Sequence, residues 1–356
     1  MSIETKNIIV EKVKSSKINQ VDFDNLAFGS VFTDHMVVCT FKNGAWETPR
    51  IMPYQPITLD PSSKIFHYGQ SIFEGMKAYK DKNNDIYLFR PLDNFKRLNI
   101  SAERMCIPQI PEEYFMNGLT TLLNLDKDFI PTKEGSSLYI RPFMFASGNG
   151  FHASPANEYK FIIACAPSGS YFSGKVKVLI EEKYSRSANG GVGFAKTGGN
   201  YAGQFYPTQL AVAKGYNQVI WTDDSNHEFI EEAGAMNIFI RINDTLITGP
   251  TSDRILDGIT RKSILEIAKD QGIKTEVRKI TVKEVIEAAK NGSLKEMFGA
   301  GTAAVISPIS TFGFRDTDYD LPEIENSFNE RLKKIITNIQ YNKSEDKFGW
   351  RYKVKA

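Results

Sequence analysis

Cysteine and histidine are scarce in this sequence, with three and four residues respectively among 356. Cys39, Cys106 and Cys165 form no C-x-x-C pair, and no two histidines have H-x-x-x-H spacing. Such spacings mark most structural zinc sites and disulfide frameworks, so we expect no metal site and a reducing compartment. All three cysteines lie in or beside apolar segments, and we expect their side chains to be buried.

Charge of one sign and long apolar runs are also missing. The net charge is +2 and the pI is near 8.2, which indicates neither a nucleic-acid partner nor a membrane partner. No apolar run approaches the roughly 18 residues of a membrane-spanning helix. Residues 1–20 mix acids and bases without an apolar core, and they contain two glutamates and no arginine. We therefore expect no signal or transit peptide and a cytoplasmic protein.

The composition that remains, 41% hydrophobic and 24% charged, is typical of a globular chain, and the length suggests about two domains. A polar, glycine-rich stretch, "ASGNGFHASPAN", is long enough to be a functional loop. The later stretch "APSGSYFSGK" interrupts regular structure with proline, glycine and serine. We therefore predict an N-terminal domain over 1–168, a connection over 169–184 and a C-terminal domain over 185–356.

Hydrophobic periodicity predicts strands and helices in both halves of the chain. In the first half, the predicted strands cover 31–40, 86–89, 138–145 and 159–166, and the helices run from Arg90 to about Met105 and over 111–125. In the second half, strands over 218–222, 237–242 and 245–248 accompany helices from Arg261 to Gly272, over 282–289 and from about Ile324.

The stretch "GGVGFAKTGGNYAG" places one charged residue, Lys196, among glycines and other small residues. A lysine attacks a carbonyl only when part of it is neutral, which requires burial or a positive neighbour. Glycines on both sides allow a planar ligand to approach the backbone, and Tyr201 follows close behind. Taken alone, the stretch is equally compatible with a surface loop whose lysine points at water.

Three further stretches carry candidate ligand groups. "EEAGAMNIFI" begins at Glu231, and its carboxylates suit either a solvated turn or a protonated pyridine nitrogen. "DGITRKSILEIAK" begins a helix at Gly258-Ile259-Thr260, which is either a threonine cap or an anion site. "FGAGTAAVISP" has Thr302 in a turn of small residues that suits the same anion. No Walker A loop and no dinucleotide fingerprint occurs at the required spacing.

Eight ordered blocks of the sequence resemble the class IV pyridoxal-phosphate aminotransferases, and within them the branched-chain amino acid aminotransferases. The blocks are "FTDHM", "HYGQSIFEGMKAY", "FRPLDNFKRL", "LYIRPF", "KTGGNY", "EAGAMNIF", "GITR" and "GAGTA". They cover about Phe28 to Thr302, which is most of the chain. The order of eight blocks is far more specific than any one of them.

The resemblance implies a set of cofactor ligands for pyridoxal phosphate. Lys196 matches the catalytic lysine that binds the cofactor covalently, and Tyr201 matches the tyrosine on its ring oxygen. Glu232 matches the carboxylate on the pyridine nitrogen and is preferred over Glu231 for that reason. The phosphate ligands of the family match Arg97, Ile259, Thr260 and Thr302.

The resemblance also implies a substrate pocket. Aromatic pocket positions of the family match Phe28, Phe73, Tyr139 and Tyr171, and Ala303 matches the residue whose N–H meets the substrate carboxylate. Positions near the pocket, some of which reach across a dimer interface in the family, match Tyr68, Arg141, Phe151 and Ala153. Two departures are Ala235, where some relatives have threonine, and the pair Ala304 and Ser307, where some have C-x-x-C.

The implied fold is the two-domain α/β fold of type IV pyridoxal-phosphate enzymes. It has a smaller N-terminal α/β domain, a larger C-terminal domain and the cofactor between them, and it forms a homodimer. The implied activity is reversible ping-pong transfer of the amino group from leucine, isoleucine or valine to 2-oxoglutarate. The alternatives are a D-amino acid transaminase or an aminodeoxychorismate lyase of the same fold, and a non-catalytic protein that binds pyridoxal phosphate.

Overall fold

A computed structural model describes residues 2–5, 8–169, 174 and 176–355. The chain divides into two compact units. The first unit comprises Met1–Tyr171, Ala195–Gly198 and Ile339–Ala356, and the second comprises Phe172–Phe194 and Gly199–Asn338. The first unit is the longer of the two because it also includes the C-terminal segment. The boundaries 1–168 and 185–356 stay a prediction.

The first unit is built on one sheet, in which the strands Ile8–Glu11 and Arg50–Pro53 are parallel and the other neighbouring strands are antiparallel. Its central strands are buried on both faces and therefore consist largely of apolar residues. In sheet order the strands are β1 (Ser2–Thr5), β2 (Ile8–Glu11), β5 (Arg50–Pro53), β3 (His35–Lys42), β10 (Tyr159–Ser168), β9 (Ser137–Ala146), β7 (Met76–Lys80), β8 (Ile86–Phe89) and β20 (Arg351–Lys353), with β4 (Ala45–Trp46) beside β3 and β6 (Ser71–Phe73) beside β9.

The helices of this unit are α1 (Lys64–Tyr68), α2 (Pro91–Arg104) and α3 (Glu112–Leu125). Pro91 occupies the first turn of α2, where its missing N–H costs no hydrogen bond. Leu98 and Ala102 of α2, together with Phe115 of α3, belong to the buried core of the unit. The ring of Phe115 lies 5.5 Å from that of Phe95 and 6.0 Å from that of Phe161, so one aromatic group connects both helices to β10.

The second unit contains a mixed sheet. In sheet order its strands are β13 (Ile230–Ala233), β12 (Gln218–Thr222), β11 (Val176–Ile180), β18 (Val305–Phe314), β17 (Leu294–Gly301), β14 (Met236–Ile242), β15 (Thr245–Thr248) and β16 (Lys274–Val277), with β19 (Thr317–Asp320) beside β18. A further pairing joins β13 to β14. Because β13 pairs with both β12 and β14, the strand order closes on itself at the position of Glu232.

The remaining helices are α4 (Gly198–Ala202), α5 (Phe205–Ala213), α6 (Ile259–Asp270), α7 (Val282–Lys290) and α8 (Phe328–Gln340). The periodicity that predicts these helices is confirmed in part. Ile264 and Ala268 of α6 and Leu332, Ile336 and Ile339 of α8 are buried, whereas Leu265, Phe328 and Ile335 are half-buried. None of the helices in the described ranges is long and apolar enough to span a bilayer.

Two predicted boundaries are wrong by several residues. The strand predicted over 31–40 is β3, and it begins at His35 and not at residue 31. The chain bends just before it, where the Asp34 carboxylate accepts the N–H of Lys17. The last helix begins at Phe328 and not near residue 324. Asn326 has a left-handed φ of +52°, and the Ser327 hydroxyl caps the helix by accepting the Glu330 N–H.

The prediction of three buried cysteines is wrong for one of them. Cys39 and Cys165 are buried in strands, whereas Cys106 is exposed. Helix α2 ends just before Cys106, whose positive φ of +52° turns the chain away from the helix. Burial raises the pKa of the Cys39 thiol to about 12 and also raises that of Cys165. These two thiols are therefore held protonated and slow to oxidise.

The aromatic group around Phe115 gives a direct test of the first unit. Replacing Phe115 by alanine leaves a cavity under both helices and should lower the free energy of unfolding by about 3–5 kcal/mol. Phe115→Leu should cost less, and Ile57→Ala, at a side chain that is 39% exposed, should cost little. Denaturant unfolding of the three variants measures the order. An equal loss for Phe115→Ala and Ile57→Ala would contradict this description of the core.

Candidate active site

Lys196 is fixed in the first unit by main-chain hydrogen bonds on both sides. Its N–H donates to the Ser101 hydroxyl at 2.9 Å, and its carbonyl accepts the N–H of Phe73 at 2.9 Å. The next residue, Thr197, forms a β-bridge with Ile72 and donates its hydroxyl to the Ser71 carbonyl. The stretch is therefore anchored against β6 and α2, and the reading as a surface loop is wrong.

The side chain of Lys196 lies over an aromatic ring. Its Nζ is 4.6 Å from the centre of the Phe73 ring, and the guanidinium of Arg141 is 4.5 Å from the same centre. Arg141 donates to the Tyr139 hydroxyl at 3.0 Å, and the Tyr139 ring meets Phe28 edge-on at 4.7 Å. The first unit thus brings together five predicted residues as an aromatic wall with two cations.

Gly75 makes room for this wall. A Cβ at Gly75 would lie 2.4 Å from the Tyr139 hydroxyl oxygen, a distance that side chains do not tolerate. Gly75, the glycine of the "FEGMKAY" block, is therefore required because the Tyr139 hydroxyl occupies the space that a side chain at this position would need.

Arg97 is buried on α2 and forms a two-point ion pair with Glu74. The Glu74 carboxylate accepts Nε of Arg97 at 2.7 Å and Nη2 at 2.9 Å, and it also accepts the Asn94 amide at 2.7 Å. Burial by itself raises the pKa of Glu74, but the charge and hydrogen bonds of Arg97, then Lys196 and Asn94, hold it below the ordinary value of 4.5. Glu74 is therefore ionised and fixes the orientation of the Arg97 guanidinium.

Three of the predicted pocket residues lie at the surface of the first unit. Tyr68 is 42% exposed and Phe151 is 70% exposed, and the Tyr68 hydroxyl donates to the Phe151 carbonyl. Ala153 is exposed in the same loop. Tyr171 lies outside the described residues.

Glu231 and Glu232 are consecutive residues of β13 and have different partners; Glu232 pairs with Trp221 of β12, whereas the register shifts at Glu231. Glu232 lies 2.8 Å from Nε of Arg186, and it accepts the Asn237 amide at 3.0 Å and the Leu256 N–H at 3.2 Å. Glu231 instead accepts Nε of Arg254 at 2.5 Å. The structure thus separates the two carboxylates, each with a guanidinium of its own.

The start of α6 lies beside Glu232 in the second unit. Asn237 connects the two, because a Cβ at Gly258 would lie 1.8 Å from the Asn237 Oδ1 atom. Gly258 precedes the buried residues Ile259 and Thr260. The first N–H groups of a helix have no partner within the helix, and Gly258 has no side chain to cover them. The start of α6 is therefore suited to binding an anion. Arg261 adds a buried positive charge in the same turn.

Thr302 and Ala303 form the turn between β17 and β18, where Gly301 pairs with Val305. Val305 has a left-handed φ of +60°, which is rare for a β-branched residue and stores strain in the turn. One strand pairing away, Ala300 lies opposite Asn237, which in turn lies opposite Glu232. Thr302 therefore follows by two residues the position on β17, Ala300, that is aligned across the sheet with Asn237 and Glu232.

Tyr201 lies on α4 and is half-buried. Its carbonyl accepts the N–H of Gln204 at 3.1 Å. This places its backbone in a helical turn directly after the Lys196 stretch, and its role toward a ligand stays a prediction.

Sequence reasoning missed several residues that support the predicted ones. Each of them lies in or next to a segment that the sequence analysis examined: Glu74 lies in the "FEGMKAY" block, Arg261 follows the "IT" pair, and Arg186 precedes the glycines at 190–193. No pattern in a single sequence pairs Arg97 with Glu74 or Arg186 with Glu232, because each pair joins segments that are distant along the chain.

Comparison with known proteins identifies the family. The family described as "Amino-transferase class IV" matches residues 71–312, and the chain belongs to it. The chain is 43% identical to branched-chain-amino-acid aminotransferase 2 of Bacillus subtilis (strain 168), over 99% of this chain and 98% of that protein. It is 39% identical to the branched-chain-amino-acid aminotransferase of Mycolicibacterium smegmatis, over 92% and 91%.

A solved structure supports the same assignment. The branched-chain aminotransferase of Thermoproteus uzoniensis, determined with norvaline, aligns with a TM-score of 0.75 and 26% identity over 90% of this chain and 100% of that one. The predicted type IV two-domain α/β class is thereby confirmed.

The Glu74–Arg97 pair predicts a pH-dependent contribution to stability. A carboxylate with a lowered pKa stabilises the fold above its unfolded pKa, and that stability is lost as pH falls through the folded value. Glu74→Gln should therefore lower the free energy of unfolding by about 3–5 kcal/mol at pH 7, because Arg97 loses its buried partner. The difference from the parent protein should shrink as pH falls below 4.5. A difference that is constant from pH 7 to pH 3, measured by urea unfolding, would contradict this ion pair.

Proposed function

We propose that this protein is a branched-chain amino acid aminotransferase that uses pyridoxal phosphate. The observation that carries the proposal is the anchored Lys196, whose amine lies over the Phe73 ring beside the aromatic wall of Phe28 and Tyr139. Family membership and the names of relatives that match nearly the whole chain support it.

The residues present fit pyridoxal phosphate. The cradle at Gly258, which a Cβ would fill, and the start of α6 suit a phosphate group. In the proposal, Arg97, Ile259, Thr260 and Thr302 hold the phosphate, Tyr201 bonds the ring oxygen, Glu232 pairs with the ring nitrogen and Lys196 forms the covalent bond. When bound, the cofactor supplies an electron sink for the bond that breaks at the α-carbon.

The chain's own residues carry the proton transfers. Lys196, displaced by the incoming amino acid, takes the α-proton on Nζ and returns it at the neighbouring position. Glu232 remains ionised beside the ring nitrogen and supports its positive charge. Water would supply the keto oxygen of the 2-keto acid that leaves, and the amino group would stay in the site until 2-oxoglutarate takes it up as glutamate, so the course would be ping-pong.

The aromatic wall favours branched aliphatic side chains. In the proposal, leucine, isoleucine or valine packs against Phe28, Phe73 and Tyr139, with Tyr171 as a further wall residue, and the N–H of Ala303 meets the substrate carboxylate. Glutamate carries a second carboxylate, which requires a cation. Arg141, held between Phe73 and the Tyr139 hydroxyl, suits that group, with Tyr68, Phe151 and Ala153 at the rim.

We also propose a homodimer that acts in the cytoplasm. Large apolar side chains are exposed on the first unit at Phe66 and Phe151, and on α5 at Phe205 and Tyr206, with 59–70% of each accessible. Exposed apolar surface of this extent is typical of contact with another protein. The scarcity of cysteine, which is typical of a reducing compartment, supports the location.

A substrate panel tests the proposed specificity. Leucine, isoleucine and valine should exceed alanine and aspartate in kcat/KM, since each buried methylene contributes roughly 1–3 kcal/mol. Aspartate would place an unpaired carboxylate against the aromatic wall. If D-alanine is the best donor, the D-amino acid transaminase alternative is correct; if 4-amino-4-deoxychorismate is cleaved, the lyase alternative is correct.

The proposed role of Lys196 predicts that its replacement removes transamination but not cofactor binding. Lys196→Ala should reduce leucine transamination at least about a thousandfold, because the covalent link and the base are removed together. It should still bind the cofactor through the phosphate ligands, as measured by equilibrium dialysis. Lys283→Ala, at a lysine of α7 whose side chain is 84% exposed, is the matched control for loss of a lysine. Near-normal transamination by Lys196→Ala would remove the basis of the proposal.

A further inference from the structure

Arg186 joins three separate segments of the second unit at one buried point. Its side chain is 3% exposed, and its Nε lies 2.8 Å from Oε2 of Glu232. Its Nη1 donates to the carbonyl of Gly193 at 3.1 Å and to that of Arg254 at 2.7 Å. One guanidinium thus contacts a strand carboxylate, the glycine loop before Lys196 and the loop before α6.

The two loops meet closely where Arg186 binds them. A Cβ at Gly193 would lie 2.5–2.6 Å from the main-chain atoms of Arg254, so only glycine allows this approach. The N–H of Phe194 also donates to the Asp253 carbonyl at 3.1 Å. One guanidinium therefore donates to both carbonyls through Nη1 and keeps Nε beside the Glu232 carboxylate as an ion pair, an arrangement that the single ammonium of lysine cannot reproduce with the same geometry.

The charge of Arg186 is directed at Glu232. The neighbouring Arg254 uses its own guanidinium for Glu231 at 2.5 Å and Asp224 at 3.2 Å. Arg261 is a second cation within electrostatic reach of Glu232, but its Nη2 donates to the Gly249 carbonyl. Arg186 forms a direct ion pair with Glu232.

A carboxylate that is 2% exposed strongly prefers its neutral form unless a cation or several donors stabilise the charge. Asn237 and Leu256 donate to one oxygen of Glu232, Oε1, and Arg186 faces the other, Oε2. Without Arg186, one charged oxygen would lose its cation in a site that water does not reach.

We propose that Arg186 is a positioning residue that keeps Glu232 ionised and fixed, and that links this carboxylate to the glycine loop 190–193. The inference rests on the proposed function, in which Glu232 pairs with the ring nitrogen of pyridoxal phosphate. Arg186 acts through Glu232 and does not itself touch the cofactor. Replacing Arg186 should therefore remove the part of the affinity for pyridoxal phosphate that comes from its ring nitrogen. The part that comes from the phosphate group should remain.

The test compares the affinity of the full-length apoprotein for pyridoxal phosphate with that for its 1-deaza analogue, which lacks the ring nitrogen. The parent protein should prefer pyridoxal phosphate by at least about tenfold, the scale of one charge-assisted hydrogen bond. In Arg186→Gln this ratio should fall close to one. Arg254→Gln, which removes a neighbouring guanidinium that serves Glu231, is the matched control and should keep the parent ratio.

The outcomes separate the inference from the function on which it rests. A parental ratio in Arg186→Gln overturns the role of Arg186 and leaves Glu232 in place. A ratio near one in the parent protein overturns the role of Glu232 and this inference together, while the substrate panel still decides the activity.

A second measurement applies even if Arg186→Gln folds poorly. If the uncompensated charge of Glu232 is the cause, adding Glu232→Gln should restore stability, because the buried charge is removed with its partner. The double variant should then melt at a higher temperature than Arg186→Gln as apoprotein. An equal or lower melting temperature overturns the inference, since a purely structural role of Arg186 gives no such rescue.

Discussion

The main-chain anchoring of Lys196 is the constraint on which the proposed chemistry depends. A lysine side chain is long and flexible, and its amine can be aimed only if the backbone beneath it is held. Here the Ser101 hydroxyl and the Phe73 N–H fix both sides of the peptide, and the Phe73 ring supports the amine. Gly198 allows the neighbouring strand to approach, since a Cβ there would lie 3.0 Å from the Ser71 hydroxyl oxygen.

Three buried glutamates of this molecule are each paired with a guanidinium. Glu74 is paired with Arg97, Glu231 with Arg254 and Glu232 with Arg186. Each pair holds its charge in a fixed direction at a place that water does not screen, so electrostatic effects there are stronger than at the surface. The same buried pairs add little net stability, because the cost of removing two charges from water offsets their attraction. Their use lies in orienting charge before a ligand binds.

Much of the fold could be predicted from local pattern, because the strands at 86–89, 218–222 and 245–248 are short segments rich in apolar and β-branched residues. The start of α8 could not be predicted by periodicity, since the left-handed Asn326 and the Ser327 cap decide it. The candidate site followed from motif order, which located Lys196 and Glu232. The partners Glu74 and Arg186 could not be found in this way, because an ion pair between distant segments exists only once the sheets have formed.

The central claim is that Lys196, and no other lysine, carries the cofactor. Borohydride reduction of the protein with bound pyridoxal phosphate makes the lysine–cofactor bond permanent, and peptide mass spectrometry then locates it. The account predicts the added mass on the peptide that contains Lys196, and its loss when leucine is supplied before reduction. Added mass on another buried lysine, such as Lys64, whose amine is already bonded to three oxygens, or no added mass at all, would contradict the account.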